Sequence, residues 1–95
     1  MEDKVVESVK EYLPIGTVVM LEKDIMLYMI VGYFNRINEE NVYDYIAVGY
    51  PYGLVAMESL FYFNHENVDE VIQMGMLGEE YLYFNKLLNQ VNRKM

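Results

Sequence analysis

Acid–base or nucleophilic chemistry would be built from a histidine with a carboxylate one helical turn away, and this sequence holds one such pair. His65 is followed four residues on by Asp69, with Ser59 upstream. A Ser-His-Asp triad needs the histidine between nucleophile and acid in space, together with an oxyanion hole. On a short helix His65 and Asp69 would only share a surface, and no G-x-S-x-G elbow surrounds Ser59. Carboxylates fall in two groups, Glu66, Asp69 and Glu70, and Glu39, Glu40 and Asp44. Neither group has the alternating acids and central glycine of a calcium loop. Gly75 and Gly78 are isolated glycines at a helix end, not a phosphate cradle. With no cysteine and one histidine, disulfides, thiolate zinc sites and thiol nucleophiles are excluded. The reading is of a chain that is not an enzyme, with no catalytic residues, metal site or cofactor.

The elements that would carry any site must come from 95 residues, enough for a single domain spanning residues 1–95 with one core. The chain is 54% hydrophobic and 23% charged, a globular composition. Its net charge of −8 argues against nucleic acid or an anionic membrane, which need clustered Lys and Arg. The start, Met1-Glu2-Asp3-Lys4, lacks the basic and apolar regions of a secretory signal. The longest apolar run, Ile25 to Phe34, is well short of the ~20 residues that span a bilayer. No membrane insertion and a cytoplasmic location are therefore expected.

Val5, Val6, Val9, Tyr12 and Leu13 lie on one helical face and predict an N-terminal helix over Glu2–Leu13, ended by Pro14. The period then changes. Thr17–Leu21, Ile25–Phe34 and Val42–Tyr50 are rich in β-branched and aromatic residues and predict an antiparallel meander. Gly16 lies just before it, and Gly32 inside the second strand marks a bulge or a close backbone approach. Pro51 and Gly53 supply turn chemistry in Tyr50-Pro51-Tyr52-Gly53. Leu54–Ser59 is a loop or weak strand, and Leu60–Phe63 a fourth strand. Asn64 is placed to cap a second helix, with Phe63 and Val68 as its staple, Val68, Val71 and Ile72 as its buried stripe, and Gly75 as its C-cap. A third helix runs over about Glu79–Arg93, acids first and bases last. The expected class is α+β: an antiparallel sheet of three to five strands, up to a partly closed barrel, between one N-terminal and two C-terminal helices.

Two features point to a protein partner. Between Ile37 and Asn85 there are nine acids and no Lys or Arg, which would speed encounter with a basic partner. Ten tyrosines and eight methionines exceed what so small a core can hide, and both residue types suit adaptable interfaces. The candidate binding residues are Tyr43, Asp44, Tyr45, Tyr50, Tyr52, Glu66, Asp69 and Glu70. Self-association stays open beside a foreign partner.

Three ordered segments carry a resemblance. They are Leu13-Pro14-Ile15-Gly16-Thr17-Val18-Val19 leading to Met29-Ile30-Val31-Gly32, then Tyr43-Asp44-Tyr45 leading to Tyr50-Pro51-Tyr52-Gly53, then Phe63-Asn64-His65-Glu66-Asn67-Val68 with Val71 and Gly75. Together, over about Leu13–Glu80, they resemble a family of small Gram-positive proteins encoded beside type VII secretion genes and LXG polymorphic toxins. Tyr52 departs from that pattern, where the family usually has glutamate. The resemblance implies a cytoplasmic chaperone or adaptor that binds an LXG toxin and stabilises it before export. An immunity protein that neutralises the toxin and a self-associating structural protein are the competing readings.

Overall fold

Runs of Val, Ile, Tyr and Phe at strand length recur along the chain, and in the computed structural model they form one sheet. The structure describes residues 11–36 and 42–94. Five strands, β1 (Val18–Leu21), β2 (Leu27–Arg36), β3 (Val42–Tyr50), β4 (Leu60–Phe63) and β5 (Val68–Gln73), pair antiparallel in the order β4-β3-β2-β1-β5. β3 and β4 coincide with the segments expected from residue type. The register between β2 and β3 shifts between Ile30 and Gly32, so the glycine marks a bulge. A Cβ on Gly32 would stand 3.2 Å from Ile46 Cδ1.

The sheet is open, with β4 and β5 as unpaired edges, yet the link between them is only Asn64–Asn67. Five Cα steps reach at most roughly 18 Å, whereas five flat strands would separate their outer members by about 19 Å, before any offset along the strands. The sheet must therefore curl. Two contacts of the link show it: His65 N–H donates to Asp44 Oδ2 at 2.9 Å on β3, and Glu22 N–H, just past β1, donates to Asn67 O at 3.1 Å. The curled inner face buries Val19, Tyr28, Ile30, Tyr45, Ala47 and Phe63, whereas Val18 and Val48, both paired with Met29, are buried on the opposite face. Thr17 is also fully buried; its Oγ1 accepts Gly75 N–H at 3.0 Å.

The expected arrangement of one N-terminal and two C-terminal helices is corrected. Among the described residues there is one helix, α1 (Glu79–Lys94). Most of the predicted Glu2–Leu13 helix lies outside the described residues, and Glu11–Leu13 is not helical. The segment expected as a second helix is a 3-10 turn, His65–Asn67, followed by β5. Asn64 Oδ1 accepts Asp44 N–H at 3.0 Å instead of capping a helix, and Val68 pairs with Leu21 on β1 instead of stapling to Phe63. Gly75 is not a helix cap; its backbone passes so close to Ile15 that a Cβ would stand 2.2 Å from the Ile15 carbonyl oxygen. Nor does the sheet close into a barrel.

The chain divides into two units. Residues Leu13–Met76 form the sheet unit. The other holds Tyr12 and α1, where Tyr12 N–H donates to Asn85 Oδ1 at 3.0 Å and Tyr12 O accepts the Tyr81 hydroxyl. Burial, then the negative charge of Glu11, raises the Tyr81 hydroxyl above its usual range.

Candidate functional site

β3 positions two contrasting groups of side chains, one near each of its ends. Near its start Tyr45 is fully buried, with its ring 5.5 Å from Phe63 and 5.9 Å from Tyr33. Its hydroxyl accepts Leu13 N–H at 3.0 Å and lies 2.6 Å from His65 Nδ1. The hydroxyl thus bridges the Leu13 amide and the imidazole of His65. Asp44 holds the same junction through His65 N–H, and Asn64 N–H in turn donates to Asn67 Oδ1 at 2.9 Å. His65, expected as an exposed helix residue, thus ties the 3-10 turn to β3. Its Nδ1 faces a tyrosine, not a nucleophile. Of the two expected contact residues here, Tyr45 is fully buried and Asp44 half-buried, and both tie the 3-10 turn to β3.

The other end of β3 is open. The Tyr50–Pro51 peptide is cis, Gly53 has φ +76°, and Gly53 N–H donates to Gly49 O at 2.8 Å, so the expected turn is present. It throws Tyr52 outward, 70% exposed, and leads through Leu54 and Val55, 77% exposed, to a 3-10 turn at Met57–Ser59. Ser59 secures that turn by donating to Ala56 O at 2.6 Å. The β1–β2 turn reaches the same place, because Leu27 pairs with Tyr50. It carries Ile25, 93% exposed, and Met26. A Cβ on Gly49 would meet Met26 Cε at 3.3 Å and Tyr52 Cδ2 at 3.7 Å; glycine there lets both side chains lie against the strand. Beneath the cluster Tyr28 is buried edge-on to Phe61 at 5.0 Å, and its hydroxyl donates to Asp24 Oδ2 at 2.6 Å. Burial, then the Asp24 hydrogen bond and charge, push the Tyr28 hydroxyl up to about 12. That bond, with the one from Met26 N–H, holds the Asp24 carboxyl below its usual range.

Ile25, Tyr50, Tyr52, Leu54, Val55 and Met57 therefore make an apolar surface on loops of the sheet unit, the kind that marks a contact site. Of the sequence-predicted binding residues, only Tyr50 and Tyr52 belong to it. Tyr43 stacks on Tyr62 at 6.0 Å, and Glu66, Asp69 and Glu70 are exposed on the β4–β5 link and on β5. Ile25, Leu54, Val55 and Met57 were not anticipated; their signal was apolar residues inside segments otherwise rich in turn residues. α1 separately exposes Leu82, Tyr83 and Phe84 in its own unit. Among the described residues no group of three or more His, Asp or Glu is placed to hold a metal ion, and no helix is long and apolar enough to cross a membrane.

Comparison with curated proteins and with solved structures found no match. A family model does match, over residues 12–86 and so most of the chain, and the chain belongs to that family, a domain of unknown function (DUF4176).

Proposed function

We propose that this chain is a non-enzymatic accessory protein that docks a partner protein on the loop surface around Tyr52. The observation that carries the proposal is the concentration of large apolar side chains on two adjoining loops, with Ile25, Tyr52, Val55 and Met57 all facing solvent. Leaving them in water is unfavourable by roughly 25 cal/mol per Å² of apolar surface. A partner that covers them recovers that free energy. The resemblance supplies the partner class: an LXG toxin, bound and stabilised in the cytoplasm before type VII export.

The test is affinity capture of the tagged chain from its own cytoplasm with mass spectrometry, followed by co-expression with a catalytically dead toxin. The expected result is stoichiometric recovery of an LXG toxin whose abundance or solubility rises with the chain present. Protection of cells without any change in toxin abundance would instead identify an immunity protein. Recovery of the chain alone, with the toxin expressed, would overturn toxin binding.

A further inference from the structure

The two edges of the sheet are protected unequally. β5 pairs with β1 through two register shifts, between Val18 and Val19 and between Met20 and Leu21, and it exposes Asp69 and Glu70. Bulges and charges are the common means of blocking an edge against further pairing. β4 has neither. Its residues Leu60–Phe63 are uncharged and pair with β3 without a shift, from Phe63 with Tyr45 to Leu60 with Val48. Among the described residues no loop or turn backbone pairs with the outer side of β4. Phe61 points inward onto Tyr28, yet it is 38% exposed. Phe61 is thus left partly uncovered beside this edge, while Tyr28, Tyr45 and Phe63 of the same layer are buried.

We propose that β4 is a strand-addition site, on which an extended segment of the partner pairs with the outer edge and lays an apolar side chain over Phe61. This deepens the docking reading above and rests on it. The 3-10 turn at Met57–Ser59 runs directly into β4, so the edge continues the apolar loop surface. Charge sets the chemistry of the added segment. Exposed Glu58 precedes β4, exposed Glu66 follows it, and no Lys or Arg occurs from Val42 to Asn85. The fitting segment is apolar at its centre with Lys or Arg at its ends. A second copy of this chain, paired antiparallel on β4, would bring the Glu58 end of each copy towards the Glu66 end of the other, like charge near like charge and unfavourable.

The experiment is residue-resolved amide exchange of the chain alone and bound to the LXG toxin that it retains. Along an antiparallel strand successive N–H groups alternate between the neighbour and the outside. The outward amides of β4 should exchange freely in the chain alone and slow at least tenfold in the complex. Toxin binding with those amides unchanged would overturn strand addition and leave the docking reading standing; absence of toxin binding would overturn both. Slowing on concentrating the chain alone would mean that a second copy takes the edge, which also overturns the proposal. Of Phe61→Pro and Tyr62→Pro, one removes a ladder bond to β3 and the other only an outward donor. The outward variant should keep the higher thermal midpoint of the two yet bind the toxin at least tenfold more weakly. Full affinity in that variant would overturn the proposal.

Discussion

The two ends of β3 use tyrosine in opposite ways. At the start, Tyr45 is sealed in the core and its hydroxyl is matched to Leu13 N–H and His65 Nδ1. At the end, Tyr50 and Tyr52 stand in solvent on a turn closed by the bond from Gly53 N–H to Gly49 O. A buried hydroxyl fixes geometry because leaving it or its partner unmatched is costly. An exposed ring fixes little in the free chain and offers contact area to another molecule. The same residue type therefore serves folding at one end of a strand and recognition at the other. Variants at the two ends should separate stability from binding.

The largest effect is expected at the sealed end. Tyr45→Ala should destabilise the sheet by about 3–5 kcal/mol, through the cavity it leaves and the Leu13 amide it orphans. Urea unfolding would measure that loss, while affinity per folded molecule should hold; a binding defect in molecules shown to be folded would break the division between the ends. At the open end Val55→Asp with Tyr52→Ala should weaken partner binding about thirtyfold, on the order of 2 kcal/mol. Unfolding of that variant should shift by no more than ~0.5 kcal/mol, as for other exposed positions. A loss of stability as large as that of Tyr45→Ala would mean that the loops are part of the core. His65→Ala should cost about 1 kcal/mol by removing the imidazole partner of the Tyr45 hydroxyl, with partner affinity unchanged in calorimetry.

How much of this was legible follows from the range of each interaction. β3 and β4 were readable because β-branched and aromatic runs bounded by turn residues are a local signal. Gly32 was readable as a bulge for the same reason. Val68–Gln73 was misread because Val68, Val71 and Ile72 also fit a helical stripe. What decides for strand is the pairing with β1, about fifty residues earlier in the chain. Asn64 looked like a helix cap, but Asp44 N–H, 20 residues away, takes its side chain. Alternation placed Tyr43 and Tyr45 together and could not tell which was buried, since Tyr45 is matched by groups 32 and 20 residues distant. Tyr50 and Tyr52 were found from composition and turn chemistry. Ile25, Val55 and Met57 became candidates only when the pairing of Leu27 with Tyr50 placed their loops at the same end of the sheet.

The smallest expected effect tests the base on which the open end stands. Tyr28 and Asp24 share one hydrogen bond beneath Ile25 and Met26, and each holds the other in its bonding form. Tyr28 has a raised value in the folded chain, so its contribution is complete below the unfolded tyrosine value, near 10, and is lost as pH rises through about 12. Asp24 is lowered, so its contribution is complete above the ordinary carboxylate range and is lost as pH falls through the folded value. Stability should therefore be flat at neutral pH and decline on both sides. The causes also rank differently. Burial is the largest for Tyr28, and the Tyr28 bond is the largest for Asp24. Tyr28→Phe should then return the Asp24 carboxyl most of the way to its ordinary range, by carbon NMR titration. Asp24→Asn should leave much of the Tyr28 shift in place, by tyrosinate absorbance. Equal relaxation of both groups would show that the pair, and not the buried ring of Tyr28, supports the β1–β2 turn and the apolar surface above it.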